Sequence, residues 1–328
     1  MGRSGLWVSE ITMGTMTFGN QADEREAFAI LDRAYEAGVR TIDTADVYPL
    51  GGGPERRGDT ERIVGRWLRE RRVQADMVIA TKVFGATGKS QNDRGLGRRH
   101  MKQAIFASLD RLGVQAVDLY QAHGYDSETP LEETLETFSW LTEKGLIRYW
   151  GVSNWKAYQV ALSLGICDRL GYIRPISVQP RYSVLYRAIE DELVPLCLSE
   201  GLGILPYNPL AGGMLTGRYR AGSEVEAGSR FSLGHGAGDR YQVRYWQPAT
   251  LREVERLNRA ADRSGLALAT AALRWVMEQP GITSPIVGAS HTEQLKATLT
   301  AGDVSLPSAL RRELDAAWER LPRRKEDR

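Results

Sequence analysis

Four segments of the chain share one order: an amphipathic run that stops at glycine, followed by a short apolar stretch. They are "FAILDRAYEAGVRTIDTA", "IFASLDRLGVQAVDLYQAH", "TFSWLTEKGLIRYWGVSN" and "LVPLCLSEGLGILPYNP". In the first, Phe28, Leu31, Ala34 and Tyr35 recur at helical spacing, Asp23 and Glu26 can form a capping box, and Gly38 can take the left-handed conformation that closes a helix. Gly113, Gly145 and Gly201 hold the same place in the other three, ahead of "AVDLY", "IRYWGV" and "GILPY". The chain thus repeats a helix-then-strand unit without repeating its sequence.

Further strands are predicted at 10–16, 77–83, 176–180 and 284–288, and helices at 59–71, 98–112, 130–143, 154–164, 190–198, 251–263, 267–278 and 291–301. Alternation of this kind implies parallel strands joined by helical crossovers, and eight strands in roughly 300 residues fit an α/β fold of the (β/α)₈ TIM-barrel type. The competing architecture is a doubly wound open sheet. It lacks its usual signal here, because no G-x-G-x-x-G follows an early strand and Gly51–Gly53 runs into proline and charge. One domain over 1–321 is expected. Residues 49–58 form a loop after the second strand, 216–248 form a structureless, cofactor-covering insertion after the seventh, and 322–328 a solvated tail.

Composition narrows the function classes. The net charge is only +2, with no basic run interleaved with aromatics, so nucleic acid is not an expected partner. No stretch of about 20 apolar residues or secretory leader is present, so no membrane association is expected either. Cys167 and Cys197 are the only cysteines, which suits a reducing, cytoplasmic setting. His100, His123, His235 and His291 show neither H-x-H nor H-x-x-x-H spacing, so no metal site is expected and a metal-dependent barrel enzyme is disfavoured. A small-molecule ligand is the remaining class, and homo-oligomerisation is left open.

In a (β/α)₈ barrel, chemistry is carried where the strands end. Reading those ends gives Asp43 with Tyr48 five residues on, Lys82, His123, Ser153 with Asn154, Gln179, and Tyr207 with Asn208. Singly, Lys82 reads as a surface lysine, Tyr48 as a packing aromatic and His123 as a structural histidine. Asp46 reads as a loop or capping residue. Together the first three and Asp43 converge on one mouth, where a buried lysine needs a partner and Asp43 is available. A tyrosine can protonate a developing alkoxide but has an ordinary pKa of about 10, and a nearby ammonium would favour its phenolate. His123 can direct a carbonyl or share the proton. The set suits carbonyl reduction with hydride from elsewhere. Ser153, Asn154 and Gln179 can hold a carboxamide, Tyr207 can stack on a ring, and the glycines of "YNPLAGGMLTGRY" with Arg218 can approach a pyrophosphate.

These residues resemble the aldo-keto reductases. "GRSGLWVSEITMGTMTFG", "IDTADVY", "IATKVFG", "VDLYQAH", "GVSNW", "SVQPRY", "YNPLAGGMLTGRY" and "IVGASHTEQL" follow the family's order over nearly the whole chain. The resemblance implies a (β/α)₈ barrel, NADPH as cofactor with NADH as the second candidate, and a catalytic tetrad on Asp43, Tyr48, Lys82 and His123. Tyr48 would be the general acid, tuned by Lys82 and Asp43, with His123 orienting a small-molecule carbonyl and hydride coming from nicotinamide C4. Cofactor contacts would fall on Ser153, Asn154, Gln179, Tyr207, Asn208, Leu210, Gly212, Arg218, Arg230, Ser290 and Gln294. The chain departs from the family at Ala297 and Thr298, at Ser290 and His291, and in beginning a few residues late, so part of the usual hairpin at the barrel bottom is expected to be absent. Val47, Phe84, Tyr125 and Trp155, with Tyr241, Tyr245 and Trp246, are the expected walls of an apolar pocket. It would take a bulky aldehyde or ketone, such as a sugar or polyketide carbonyl in a biosynthetic pathway. The branch it most resembles also contains potassium-channel β subunits, so an NADPH-binding regulatory subunit with vestigial chemistry is the alternative.

Overall fold

The computed structural model describes residues 1–323. Eight parallel strands form one sheet: β1 (Thr12–Gly14), β2 (Thr41–Asp43), β3 (Val78–Val83), β4 (Val117–Ala122), β5 (Ile147–Ser153), β6 (Ser177–Gln179), β7 (Gly203–Ile204) and β8 (Ile286–Gly288). Each neighbours its sequence successor from β1 to β7, and β8 lies beside β1. The two ends meet as well. Parallel bridges join Ile204 to Ile282 and Tyr207 to Ile286, and the Ile286 N–H donates to the Pro206 carbonyl at 2.8 Å. The sheet therefore curls into the expected (β/α)₈ arrangement.

The helices are α1 (Glu24–Glu36), α2 (Asp59–Arg71), α3 (Arg98–Leu112), α4 (Leu131–Glu143), α5 (Ala157–Leu170), α6 (Leu193–Glu200), α7 (Ala237–Tyr245), α8 (Pro248–Arg263), α9 (Leu268–Met277), α10 (Leu295–Leu299) and α11 (Ser308–Asp315). The glycine grammar holds: Gly38, Gly113, Gly145 and Gly201 have φ of 86°, 67°, 70° and 69°, left-handed values that suit glycine and stop the helix. The capping box of α1 is only half formed. Asp23 accepts the Glu26 N–H at 2.8 Å, but the Glu26 carboxylate instead takes the N–H and hydroxyl of Thr292, at 2.6 and 2.8 Å, tying α1 to the segment after β8.

Several boundaries differ from expectation for identifiable reasons. α5 starts at Ala157 because Asn154 is left-handed at φ 62° and cannot lie in a helix, and it runs through Gly165 to stop at Gly171, φ 73°. The segment 291–301 breaks into a 3₁₀ turn, the five-residue α10 and a second 3₁₀ turn. Residues 216–248 are not structureless. They contain a 3₁₀ turn at Arg230–Ser232 and α7, and Trp246 packs edge-on against Tyr219 and Phe231 with ring centroids 4.9 and 4.8 Å away. α11, unforeseen, buries Leu310 and Leu314 one helical turn apart.

No hairpin forms over residues 1–11. A turn takes that place: Arg3 N–H donates to the Gly201 carbonyl at 2.8 Å, and Met1 packs beneath Ala80, Leu119, Leu205 and Ile286 inside the barrel. Of the tail, Arg323 is exposed and donates to the Trp318 and Leu321 carbonyls, and residues 324–328 lie outside the described residues. No helix among the described residues is long and apolar enough to cross a membrane.

Candidate active site

Side chains alternate across a strand, so one inward-facing layer sets the next. Ala80 of β3 and Leu119 of β4 are hydrogen-bond register partners in the apolar layer inside the barrel. Two residues on, Lys82 and Gln121 are again partners, and both are fully buried. Asp43 ends β2 and Gln179 ends β6, both buried at the same level. The apolar floor is thus followed by a polar layer at the strand ends.

Within that layer Asp43 is the hub. One carboxylate oxygen accepts the Lys82 ammonium at 2.5 Å, and the other accepts the side-chain amides of Gln179 and Gln121 at 2.8 and 3.1 Å. Lys82 also donates to the Thr44 carbonyl at 2.8 Å. A buried ion pair is tolerable only when such additional bonds satisfy it. Burial pulls the Lys82 pKa down, and Asp43 opposes that shift. Sequence reasoning identified Asp43, Lys82 and Gln179 but missed Gln121, whose signal was a glutamine two residues before His123, in the same alternating phase of the strand as Leu119.

Tyr48 and His123 stand above this hub, half-buried and open to a cavity. Their rings meet edge-on with centroids 5.7 Å apart, and the Lys82 nitrogen lies 5.2 Å from the Tyr48 ring centre. The expected lowering of the Tyr48 pKa by Lys82 does not prevail. Burial, and then the Asp43 carboxylate, hold the phenol well above its ordinary value, so it stays protonated. Burial and then the Lys82 charge push His123 down to about 3, which leaves a neutral imidazole at physiological pH.

Asp46 lies in the turn after β2, as the loop reading expected, but it is not a solvated loop residue. It is buried, and neither carboxylate oxygen makes a well-formed hydrogen bond. Burial, and then Glu61, raise its pKa strongly. Glu61 itself bonds the Thr81 hydroxyl at 2.6 Å and the Arg111 guanidinium at 2.7 Å. Asp46 therefore belongs to a second polar group behind Lys82, with the unpartnered Tyr120 hydroxyl near it.

The cavity has a volume of about 1110 Å³, slightly above the roughly 300–1,000 Å³ of ordinary small-molecule sites. Asp43, Tyr48 and His123 line it together with Ser153, Asn154, Gln179, Tyr207, Asn208, Leu210, Gly212, Arg218, Arg230, Ser290 and Gln294. Several of these are pre-positioned. The Tyr207 hydroxyl donates to Asn154 at 2.7 Å, Asn154 donates to the His123 carbonyl at 2.9 Å, and Ser153 donates to the Gln179 carbonyl at 2.8 Å. The residues fit an elongated, anionic dinucleotide. Asn208 Nδ2 and Arg230 Nη1 are buried donors without partners, and Gly212 and Gly213, at φ 70° and 99°, expose backbone where Gly213 has open space beyond it. Arg218 lies 3.7 Å from Glu226, and Ser290 N–H donates to Gln294 at 2.9 Å. Ala297 and Thr298 line the same end.

The expected substrate walls divide. Val47 and Tyr241 line the cavity. Phe84, Tyr125, Trp155, Tyr245 and Trp246 are absent from its lining. Trp155 is buried with Tyr125 edge-on at 5.0 Å, Phe84 packs over Gly124, and Tyr245 is buried beside Tyr241.

The family model described as "Aldo/keto reductase family" matches residues 10–319. A "Probable voltage-gated potassium channel subunit beta" of Oryza sativa subsp. japonica is 38% identical over 309 residues, covering 93% of this chain and 90% of that protein. "Protein tas" of Escherichia coli (strain K12) is 35% identical over 337 residues, 96% of each chain. The "Uncharacterized oxidoreductase YrpG" of Bacillus subtilis (strain 168) is 32% identical over 320 residues, 96% of this chain and 94% of that one. By the near-complete match and these identities, the chain belongs to the aldo/keto reductase family of oxidoreductases.

Proposed function

We propose that the protein reduces an aldehyde or ketone to an alcohol with NADPH, or NADH in its place, in the cytoplasm. The observation that carries this reading is the meeting of Tyr48, His123 and the Asp43–Lys82 pair at a cavity of about 1110 Å³, roomy enough for a dinucleotide. When bound, the nicotinamide would supply the hydride. The chain's own residues account for the proton and the orientation. Tyr48 holds a proton at its hydroxyl and can pass it to a developing alkoxide, which Lys82 beneath the ring stabilises through its charge. Asp43 keeps that ammonium in place. His123, uncharged, offers an imidazole N–H to the carbonyl oxygen rather than a second acidic proton. Ser153, Asn154 and Gln179 would hold the carboxamide, and Arg218 and Arg230 the phosphates. Cys167 and Cys197 are buried free thiols, in keeping with a reducing compartment.

The test is absorbance loss of NADPH with purified protein and a panel of aromatic aldehydes and bulky ketones. Turnover of at least one carbonyl supports the reading. A folded, NADPH-saturated protein that reduces none would contradict it. That second outcome would favour the other reading, an NADPH-binding regulatory subunit, which the 38% identity to a probable channel β subunit motivates.

A further inference from the structure

The cavity carries more positive charge than the proposed cofactor contacts account for. Five arginines line it: Arg57, Arg218, Arg230, Arg240 and Arg244. Arg218 and Arg230 are the two that the cofactor reading uses. The lining carboxylates are Asp43, Glu226 and Glu293. Asp43 is bound to Lys82, Glu226 sits 3.7 Å from Arg218, and Glu293 lies in the Ser290–Gln294 segment at the dinucleotide end. None of the three is paired with Arg57 or Arg240, and neither arginine makes an ion pair with any described residue.

The fold puts these charges on one side of the chamber. Arg240 and Arg244 are four residues apart on α7, hence on one helical face, and Tyr241 beside them donates to Asn208 at 3.1 Å. Tyr207 and Tyr241 line the same cavity as Tyr48, so this part of the wall shares the chamber with the proton donor. Arg57 comes from the loop after β2. That loop closes against the insertion, since a Cβ built on Gly51 would lie 3.2 Å from the Leu233 Cβ and one on Gly53 2.9 Å from His235 Nε2. The Glu55 carboxylate lies near the same His235.

Resting on the reductase reading, we propose that Arg57 and Arg240 form an anion subsite and that the carbonyl substrate bears a carboxylate or a phosphate. A guanidinium binds either group through paired N–H donors, and the Arg57 and Arg240 cations, without an ion pair among the described residues, concentrate an anionic substrate there. The subsite replaces the apolar aromatic wall expected of Phe84, Tyr125 and Trp155, which the cavity does not reach.

Matched substrates test this with NADPH present: 4-formylbenzoate against its methyl ester for carboxylate, and 4-formylphenyl phosphate against 4-methoxybenzaldehyde for phosphate. At least one anionic member should have kcat/KM about tenfold above its neutral partner, the equivalent of one charge-assisted hydrogen bond. Raised salt, Arg57→Ala and Arg240→Ala should each shrink that ratio, and Arg240→Lys should restore part of it. Neutral members reduced as well as or better than both anions would overturn the subsite while leaving the reductase reading intact. So would variants that weaken NADPH binding and leave the ratio unchanged. If nothing is reduced, the reductase reading fails, and calorimetry of 4-formylbenzoate and its ester on the NADPH-saturated protein decides the subsite. Tighter binding of the acid that is lost in Arg240→Ala upholds it, and equal binding overturns it.

Discussion

His123 sits where burial and the Lys82 ammonium both disfavour its charged form, and this has a consequence for stability. In the native protein the imidazole takes a proton only near pH 3, whereas in the unfolded chain it does so near its ordinary value of about 6.5. Between those values the unfolded state binds the extra proton, so the folded state loses stability as pH falls through that window. Urea denaturation of wild type and His123→Gln from pH 7 to pH 4 should show a shallower loss in the variant. Equal slopes would mean that His123 is not the buried neutral group described. Asp46 predicts the opposite sign. Its raised pKa means the native state keeps a proton that the unfolded chain releases, so its burden appears as pH rises above the ordinary carboxylate range. Asp46→Asn should therefore stabilise the protein at pH 8 and lose that advantage near pH 4, read by the same denaturation. The stretch "TIDTADVYP" shows how far a sequence reaches at this scale. Asp43 and Tyr48 were legible because a strand end, a nearby lysine and a family resemblance pointed at them. The raised pKa of Asp46 was not, since it depends on burial and on the Glu61 carboxylate arriving from another element.

At the scale of elements, helix identity was read well where termination was local. α2 and α3 begin and end at the expected residues, and each of the four repeat glycines stops its helix. The errors came where tertiary contacts decide. The fifth helix was expected to end at 164, yet nothing crowds Gly165 and α5 continues to Leu170. The insertion read as structureless because its order comes from an aromatic cluster of Tyr219, Phe231 and Trp246 rather than from periodicity. Helix α4 packs on β5 where Phe138 stacks on Trp150 with centroids 4.5 Å apart and planes within 9°. Both side chains are fully buried. Phe138→Ala should cost about 3–5 kcal/mol of unfolding free energy by loss of that contact and the cavity left behind. A change under about 1 kcal/mol would mean the site collapses to fill the space.

For the whole molecule, eight short strands close into a ring whose lower layer is apolar and whose upper layer is Asp43, Lys82, Gln121 and Gln179. Closure brings β2, β3, β4 and β6 to one mouth, so residues up to 136 positions apart share a hydrogen bond. The repeat made that architecture legible. Which outer residues face the cavity was not, because it depends on how the loop after β2 meets the insertion, and that contact leaves no periodic trace. The central claim is that this mouth works as a proton-donating carbonyl site with Tyr48 as the donor. It is tested most directly by kcat/KM for NADPH-dependent carbonyl reduction in Tyr48→Phe, with NADPH affinity followed by fluorescence in the same variant. A fall of at least about a hundredfold, the low end for general acid catalysis, with NADPH binding preserved, is the predicted result. Wild-type turnover in Tyr48→Phe would contradict it.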